Sequence, residues 1–107
     1  MKQIIFYKHT DNKEPVKIWL KSLDKAIAQR IFSRLKRLSL GNLGDTKKID
    51  NKISELRFFA GSGYRIYFTE IDNVLILLLN AGDKATQGKD IEKAKKYLKL
   101  YEENNHD

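Results

Sequence analysis

The chain has 107 residues, with 21 Lys and Arg against 14 Asp and Glu, a net charge of +7 and no cysteine. That length sets the expectation of a single domain over residues 1–107 with a core of its own, and the missing thiols exclude a disulfide framework and a cysteine-based metal site. The cationic excess suits a polyanion, which it attracts without any sequence code, although a lysine-rich surface also serves simply as a solvated face.

Gln3–Tyr7 reads as a first strand. In the polar turn His9–Lys13, Asp11 or Asn12 is placed to cap a helix with Pro15 in its first turn, and Val16, Trp19, Leu20 and Leu23 recur on one face. Asp24 is the expected N-cap of a second helix, with Ile27, Ala28, Ile31, Phe32, Leu35 and Leu38 as its buried stripe and Gly41 as its end. Arg30, Arg34 and Arg37 share a stripe beside that face at i, i+4 and i+7. Like charges at this spacing cost about 0.2–0.5 kcal/mol per pair, so a polyanion or an acidic partner is expected against them.

Gly41–Asn51 reads as a loop exposing Lys47 and Lys48, followed by a strand over Lys52–Phe59. Through Glu55–Phe68 the pattern has period 2: Leu56, Phe58, Tyr64, Ile66 and Phe68 are apolar or aromatic, while Glu55, Arg57, Arg65 and Tyr67 are polar or half-polar. A core face and a working face follow. A three-residue loop at Ala60–Ser62 sets Arg57 opposite Arg65, an arrangement that calls for Glu55, solvent or an anion between the two.

Asp72–Asn73 reads as a two-residue turn. With Ile71 facing Val74, Arg65 is expected opposite Asn80, which carries Gly82–Lys84 to the side of Arg65. Val74–Leu79 is apolar without alternation, as for a central strand covered on both faces. The last helix, from Thr86 or Gly88 to Glu103, turns Ile91, Ala94, Leu98 and Tyr101 inward, with a frayed tail from about residue 103 onward. The expected fold is α+β in the order β-α-α-β-β-β-α: a mainly antiparallel four-stranded sheet with a helical hairpin and a C-terminal helix.

No catalytic triad, P-loop or dinucleotide fingerprint is present. His9 and His106 have no neighbouring ligand pattern, so neither a metal nor another cofactor is expected. The apolar runs are too short for a bilayer span or a signal peptide, which points to a soluble, cytoplasmic protein without a membrane partner. What remains is a cationic, partly aromatic set: Arg57, Arg65, Tyr67 and Lys84, with Lys47, Lys48 and Lys52 as further candidate RNA contacts. Arginine's fork of donors suits a phosphate and an aromatic ring suits a splayed base. Such a set binds RNA, or cleaves it without a metal when the RNA's own 2′-hydroxyl attacks the adjacent phosphate and fixed cations stabilise the charge that builds there. The same arginines would also be at home on an open, solvated sheet face.

Glu55–Leu56–Arg57, Gly63–Tyr64–Arg65–Ile66–Tyr67–Phe68, Leu77–Leu78–Leu79, Gly82–Asp83–Lys84, Thr86–Gln87 and Asp90–Ile91 with Ala94 together resemble the RelE/ParE toxin superfamily. More narrowly they resemble its phage Gp49-like, HigB-type addiction module killer branch. The resemblance implies the toxin half of a bacterial type II toxin–antitoxin pair. Its HigB- and RelE-type members cut messenger RNA in the ribosomal A site, and its ParE-type members inhibit DNA gyrase without nuclease activity. It further implies a cognate antitoxin, in the HigB case a helix-turn-helix, HigA-like protein, through which the complex reaches operator DNA.

By position, Arg65 matches the family's phosphate-stabilising arginine, and Lys84 stands where many ribonucleolytic members carry a second arginine. RelE has a lysine pair on the strand leading into the hairpin and a catalytic tyrosine near the start of the last helix. Here that strand offers Lys52 and Glu55, and Asp90 stands near the tyrosine's place. Glu55 as base and Lys84 as acid or charge stabiliser complete a catalytic set with Arg65. The alternatives are a ParE-like gyrase inhibitor and a non-catalytic nucleic-acid-binding or corepressor protein.

Overall fold

The computed structural model describes residues 1–105. The elements are β1 (Gln3–Phe6), α1 (Pro15–Lys21), α2 (Lys25–Ser39), β2 (Thr46–Lys48), β3 (Ile53–Arg57), β4 (Arg65–Ile71), β5 (Leu75–Gly82) and α3 (Gln87–Asn104). The sheet has five strands in the order β1-β5-β4-β3-β2, parallel between β1 and β5 and antiparallel elsewhere. The expected architecture holds, with one strand more than expected: β2 lies inside the stretch read as a loop. It is three residues long and polar, too short for a period to show.

Helices cover both faces of the sheet. Val16 and Leu20 of α1 and Ile31, Leu35 and Leu38 of α2 pack with Leu56, Phe58, Ile66, Phe68, Ile76 and Leu78. Ala94 and Leu98 of α3 pack with Tyr7, Ile53, Tyr67, Leu77 and Leu79 on the other side. The odd-numbered face of β3 and β4 is therefore a second core under α3, and only its margin is left as a working face. Phe32, expected in the stripe of α2, is 51% exposed.

The caps follow local chemistry. Asp24 caps α2 by accepting from the Ala26 amide, and Gly41, at φ 96°, turns the chain beyond it. Helix α1 starts at Pro15 with Glu14 as N-cap and no side-chain cap bond, so neither Asp11 nor Asn12 fills that role. Helix α3 continues through Glu103 to Asn104, beyond the expected start of the tail. Residues 106 and 107, including His106, lie outside the described residues.

Arg57 pairs with Arg65 across the hairpin as expected. The β4–β5 register differs from expectation. Asp72 and Asn73 take positive φ, but Ile71 faces Leu75, and Leu79 is an extra residue between the pairs Phe68–Leu78 and Tyr67–Asn80. The longer turn and this bulge together move the pairing by two residues, so Arg65 faces Gly82 rather than Asn80. Beyond the bulge the side chains exchange faces: Asn80 turns to α3, where its amide donates to the Asp90 carbonyl, and Ala81 joins the opposite cluster.

The β2–β3 turn rests on Asp50, whose carboxylate accepts from the Ile53 and Lys52 amides at 2.7 and 2.8 Å. These two bonds hold the Asp50 carboxyl below the usual aspartate range. A depressed folded pKa contributes stability above the unfolded value of about 3.9, lost as pH falls through the folded value. Asp50→Ala is expected to lower the urea midpoint at neutral pH, and the gap to the parent chain should close below about pH 4. A gap that does not narrow at all as pH falls below about 4 would mean that the carboxylate does not hold this turn.

Among the described residues no helix is long and apolar enough to cross a membrane. None of their acidic or histidine side chains cluster in a way that would hold a metal ion.

Candidate functional site

Arg65 stands at the start of β4, where the hairpin loop delivers it to the margin of the face covered by α3. Its Nε donates to Glu55 Oε1 at 3.1 Å and its Nη1 to the Gly63 carbonyl at 2.9 Å. Glu55 is 1% exposed, and its second oxygen accepts from Gln87 Nε2, in the first turn of α3, at 3.2 Å. Each oxygen of Glu55 thus accepts one hydrogen bond and keeps a lone pair unused, and the carboxylate is the group that orients Arg65. The Arg65 side chain is 14% exposed, so a guanidinium with donors to spare reaches solvent from a rigid seat.

Lys84 is brought to the same place by the loop. Its amide donates to the Ser62 carbonyl at 3.3 Å, and the Ser62 hydroxyl donates to Asp83 Oδ2 at 2.9 Å. Asp83 also caps the short turn that follows by accepting from the Ala85 and Thr86 amides. The serine bond foremost, and then these amides, hold its carboxyl below the ordinary range. Gly63, at φ 79°, lies between the Arg65 guanidinium and the base of the Lys84 side chain: a β-carbon there would sit 3.4 Å from Arg65 Nη1 and 3.5 Å from the Lys84 β-carbon. On the far side, a β-carbon on Gly82 would collide with the Asp90 carboxylate, which accepts from the Thr86 hydroxyl. The glycine opposite Arg65 thus makes room for the first turn of α3.

Other expected site residues lie elsewhere. Arg57 does not share an anion with Arg65. It binds Asp45, with Nη2 at 2.8 Å and Nε at 3.2 Å from Oδ1, and clamps the loop before β2 onto β3. Tyr67 is fully buried under α3, so its ring offers no stacking surface. Lys52 pairs with Glu102 of α3 at 3.1 Å, at the opposite end of β3 from Arg57. Lys47 and Lys48 are exposed on β2, where Lys47 lies across from Glu55 and Lys48 across from Ser54. Directly opposed residues share a face, so Lys47 joins the row of Glu55 and Tyr67 while Lys48 points to the other side. Arg30 and Arg37 are exposed on α2, and Arg34 is half-buried, donating to the Arg57 carbonyl at 3.2 Å.

Asp45, and the partners of Gln87 and Asn80, escape a sequence reading. Each of the three is a common polar side chain whose partner is distant in the chain, and no spacing rule marks the pairing.

The Tyr67 hydroxyl is buried without a hydrogen-bond partner, and burial, reinforced by Glu55 and Asp90, pushes its pKa well above the ordinary phenol value. Removing an unsatisfied buried hydroxyl costs nothing in hydrogen bonding and lifts a desolvation penalty of about 1–3 kcal/mol. Tyr67→Phe is therefore expected to match or exceed the parent in urea unfolding. A clear loss of stability would reveal a partner for the hydroxyl.

A sheet of this order, flanked by a helical hairpin on one face and a C-terminal helix on the other, is the fold seen in the E. coli toxin RelE. It matches the free-state structure of a doubly substituted E. coli toxin RelE with a TM-score of 0.66 and 16% identity, covering 89% of this chain and 95% of that one. Residues 18–101 match the family described as phage derived protein Gp49-like (DUF891), and the chain belongs to that family. It is also 47% identical over 78 residues to an uncharacterized protein of Haemophilus influenzae (strain Rd), a span covering 72% of this chain and 79% of the relative.

Proposed function

We propose that the chain is the toxin of a type II toxin–antitoxin pair and acts as a ribosome-dependent endoribonuclease on messenger RNA. The observation that carries this reading is the Arg65 seat: a guanidinium fixed by a buried carboxylate and a loop carbonyl, with Lys84 held beside it through Ser62. Arg65 receives the scissile phosphate and stabilises the charge that builds on its oxygens as the neighbouring 2′-hydroxyl attacks. Lys84 supplies the second cation, and its flexible ammonium suits the departing 5′-oxygen. Glu55 and Gln87 orient the arginine, and Lys47 extends the cationic margin along the RNA backbone.

Glu55 is 1% exposed and spends one lone pair of each oxygen on Arg65 and Gln87, so the 2′-hydroxyl's proton leaves to solvent water, in a reaction aligned by a larger RNA assembly, since positioning alone contributes a large share of such rates. The fold of RelE supports a protein antitoxin as the partner that silences the chain, with a helix-turn-helix protein as the first candidate.

A ParE-like gyrase inhibitor is the second reading, favoured by the burial of Glu55 and its pairing with Arg65 and Gln87. Primer extension on a reporter messenger RNA, with purified protein and with or without translating ribosomes, separates the two. Cuts that require ribosomes are expected. No cuts under either condition, with gyrase supercoiling blocked instead, would replace the first reading by the second.

A further inference from the structure

Helix α2 and the tip of the β3–β4 hairpin enclose a groove lined by Arg30, Arg34 and Arg37 on one wall and by Phe58 and Phe59 on the other. It lies outside the Arg65 site and no carboxylate lines it. Arg30 and Arg37 are exposed. The Arg34 guanidinium lies over the Phe58 ring at 5.0 Å, and its Nη2 is buried without a hydrogen-bond partner. Burial first, and then Arg37, work against the Arg34 charge, and Asp45, whose Oδ2 is also buried without a hydrogen-bond partner, partly offsets them. Three cations crowd one wall, so an anion entering the groove relieves their mutual repulsion.

The opposite wall identifies the kind of anion. Phe59 is 94% exposed at the hairpin tip, an aromatic face held out to solvent next to a row of guanidinium forks. A single strand of nucleic acid alternates a phosphate with a flat base, and arginine forks beside a bare ring match that alternation. The same hairpin tip carries Gly63 and Ser62, which hold Arg65 and Lys84. A strand leaving the Arg65 site over this tip therefore runs onto Phe59.

We propose that this groove is a second RNA-binding site, in which Arg30, Arg34 and Arg37 grip the backbone of a single-stranded segment and one base stacks on Phe59. The proposal rests on the RNA-directed reading above and extends it to a grip on substrate away from the bond that is cut.

The test is fluorescence anisotropy with a short end-labelled oligouridine RNA and the full chain carrying Arg65→Ala, which keeps the RNA whole. In that background Phe59→Ala is expected to weaken binding by about five- to a hundredfold, and Phe59→Trp to preserve it. The pair Arg30→Gln and Arg37→Gln should flatten the slope of log affinity against log salt by about 1.4, the share of two phosphate contacts on a single strand. Phe59, Arg30 and Arg37 are exposed, so circular dichroism should show each groove variant folded like its Arg65→Ala background.

Affinity and salt slope unchanged in every variant would overturn the proposal. So would a loss of binding in the arginine pair with Phe59→Ala and Phe59→Trp behaving alike, which marks a charged patch without a base site. Loss of binding to an acidic partner protein with RNA binding intact would assign the groove to a protein and overturn it as well. A chain that cuts RNA while its groove variants bind like the parent refutes the groove alone. A chain that never cuts but loses RNA binding in the groove variants refutes the nuclease reading alone.

Discussion

Replacing Arg65 by alanine is expected to lower RNA cleavage by about two to three orders of magnitude, the usual consequence of removing one fixed donor from a developing oxyanion. The loss belongs in the chemical step, because Arg30, Arg37 and Lys47 still present cations to the RNA backbone. Single-turnover primer extension in the presence of ribosomes is the appropriate readout. Arg65→Ala also strands Glu55, whose carboxylate is 1% exposed, so unfolding must be measured beside activity. Arg65→Lys keeps a positive charge near Glu55 without the planar fork, and should keep the fold while recovering only part of the rate. A folded Arg65→Ala chain that cuts at the parental rate would remove Arg65 from the site.

The largest effect on stability is expected from the other half of the pair. Glu55→Ala leaves the Arg65 guanidinium without its carboxylate, and breaking a buried ion pair from one side costs about 3–5 kcal/mol. Because the Arg65 side chain retains 14% exposure and its bond to the Gly63 carbonyl, the lower end of that range is expected. The informative comparison is the double variant Glu55→Met with Arg65→Met. Apolar side chains of similar reach often replace a buried pair at no net cost, so this protein should unfold near the parental urea midpoint and yet be inactive. A double variant that still cleaves RNA would show that the chemistry lies elsewhere. An unchanged midpoint for Glu55→Ala would show that the pair does not hold the hairpin to the margin of α3.

The reading of Arg57 shows where sequence reasoning stops. The hairpin register that opposes Arg57 and Arg65 follows from the loop glycines and the alternation on either side, and the structure has that register. The conflict between two facing arginines was equally visible, but its resolution was not. Glu55 goes to Arg65, while Arg57 takes Asp45, from the loop before a three-residue strand with no pattern of its own. Tyr67 gives the same lesson in reverse. Its place on the polar face of an alternating strand made it a candidate for stacking on RNA, yet α3 covers that part of the face and the ring is buried.

The resemblance nominated Arg65 and Lys84; by itself the sequence determined the order of the main elements, the caps at Asp24 and Gly41, and the core stripes apart from Phe32. These rest on periodicity and turn chemistry, which act between residues close in the chain. Only the tertiary structure decided the addition of β2, the bulge at Leu79 that sets Arg65 opposite Gly82, the cover of α3 over Tyr67, and the pairing of each charge with its partner. Those outcomes depend on how surfaces far apart in the chain dock, where a one-residue change in register moves a side chain from one face of the sheet to the other.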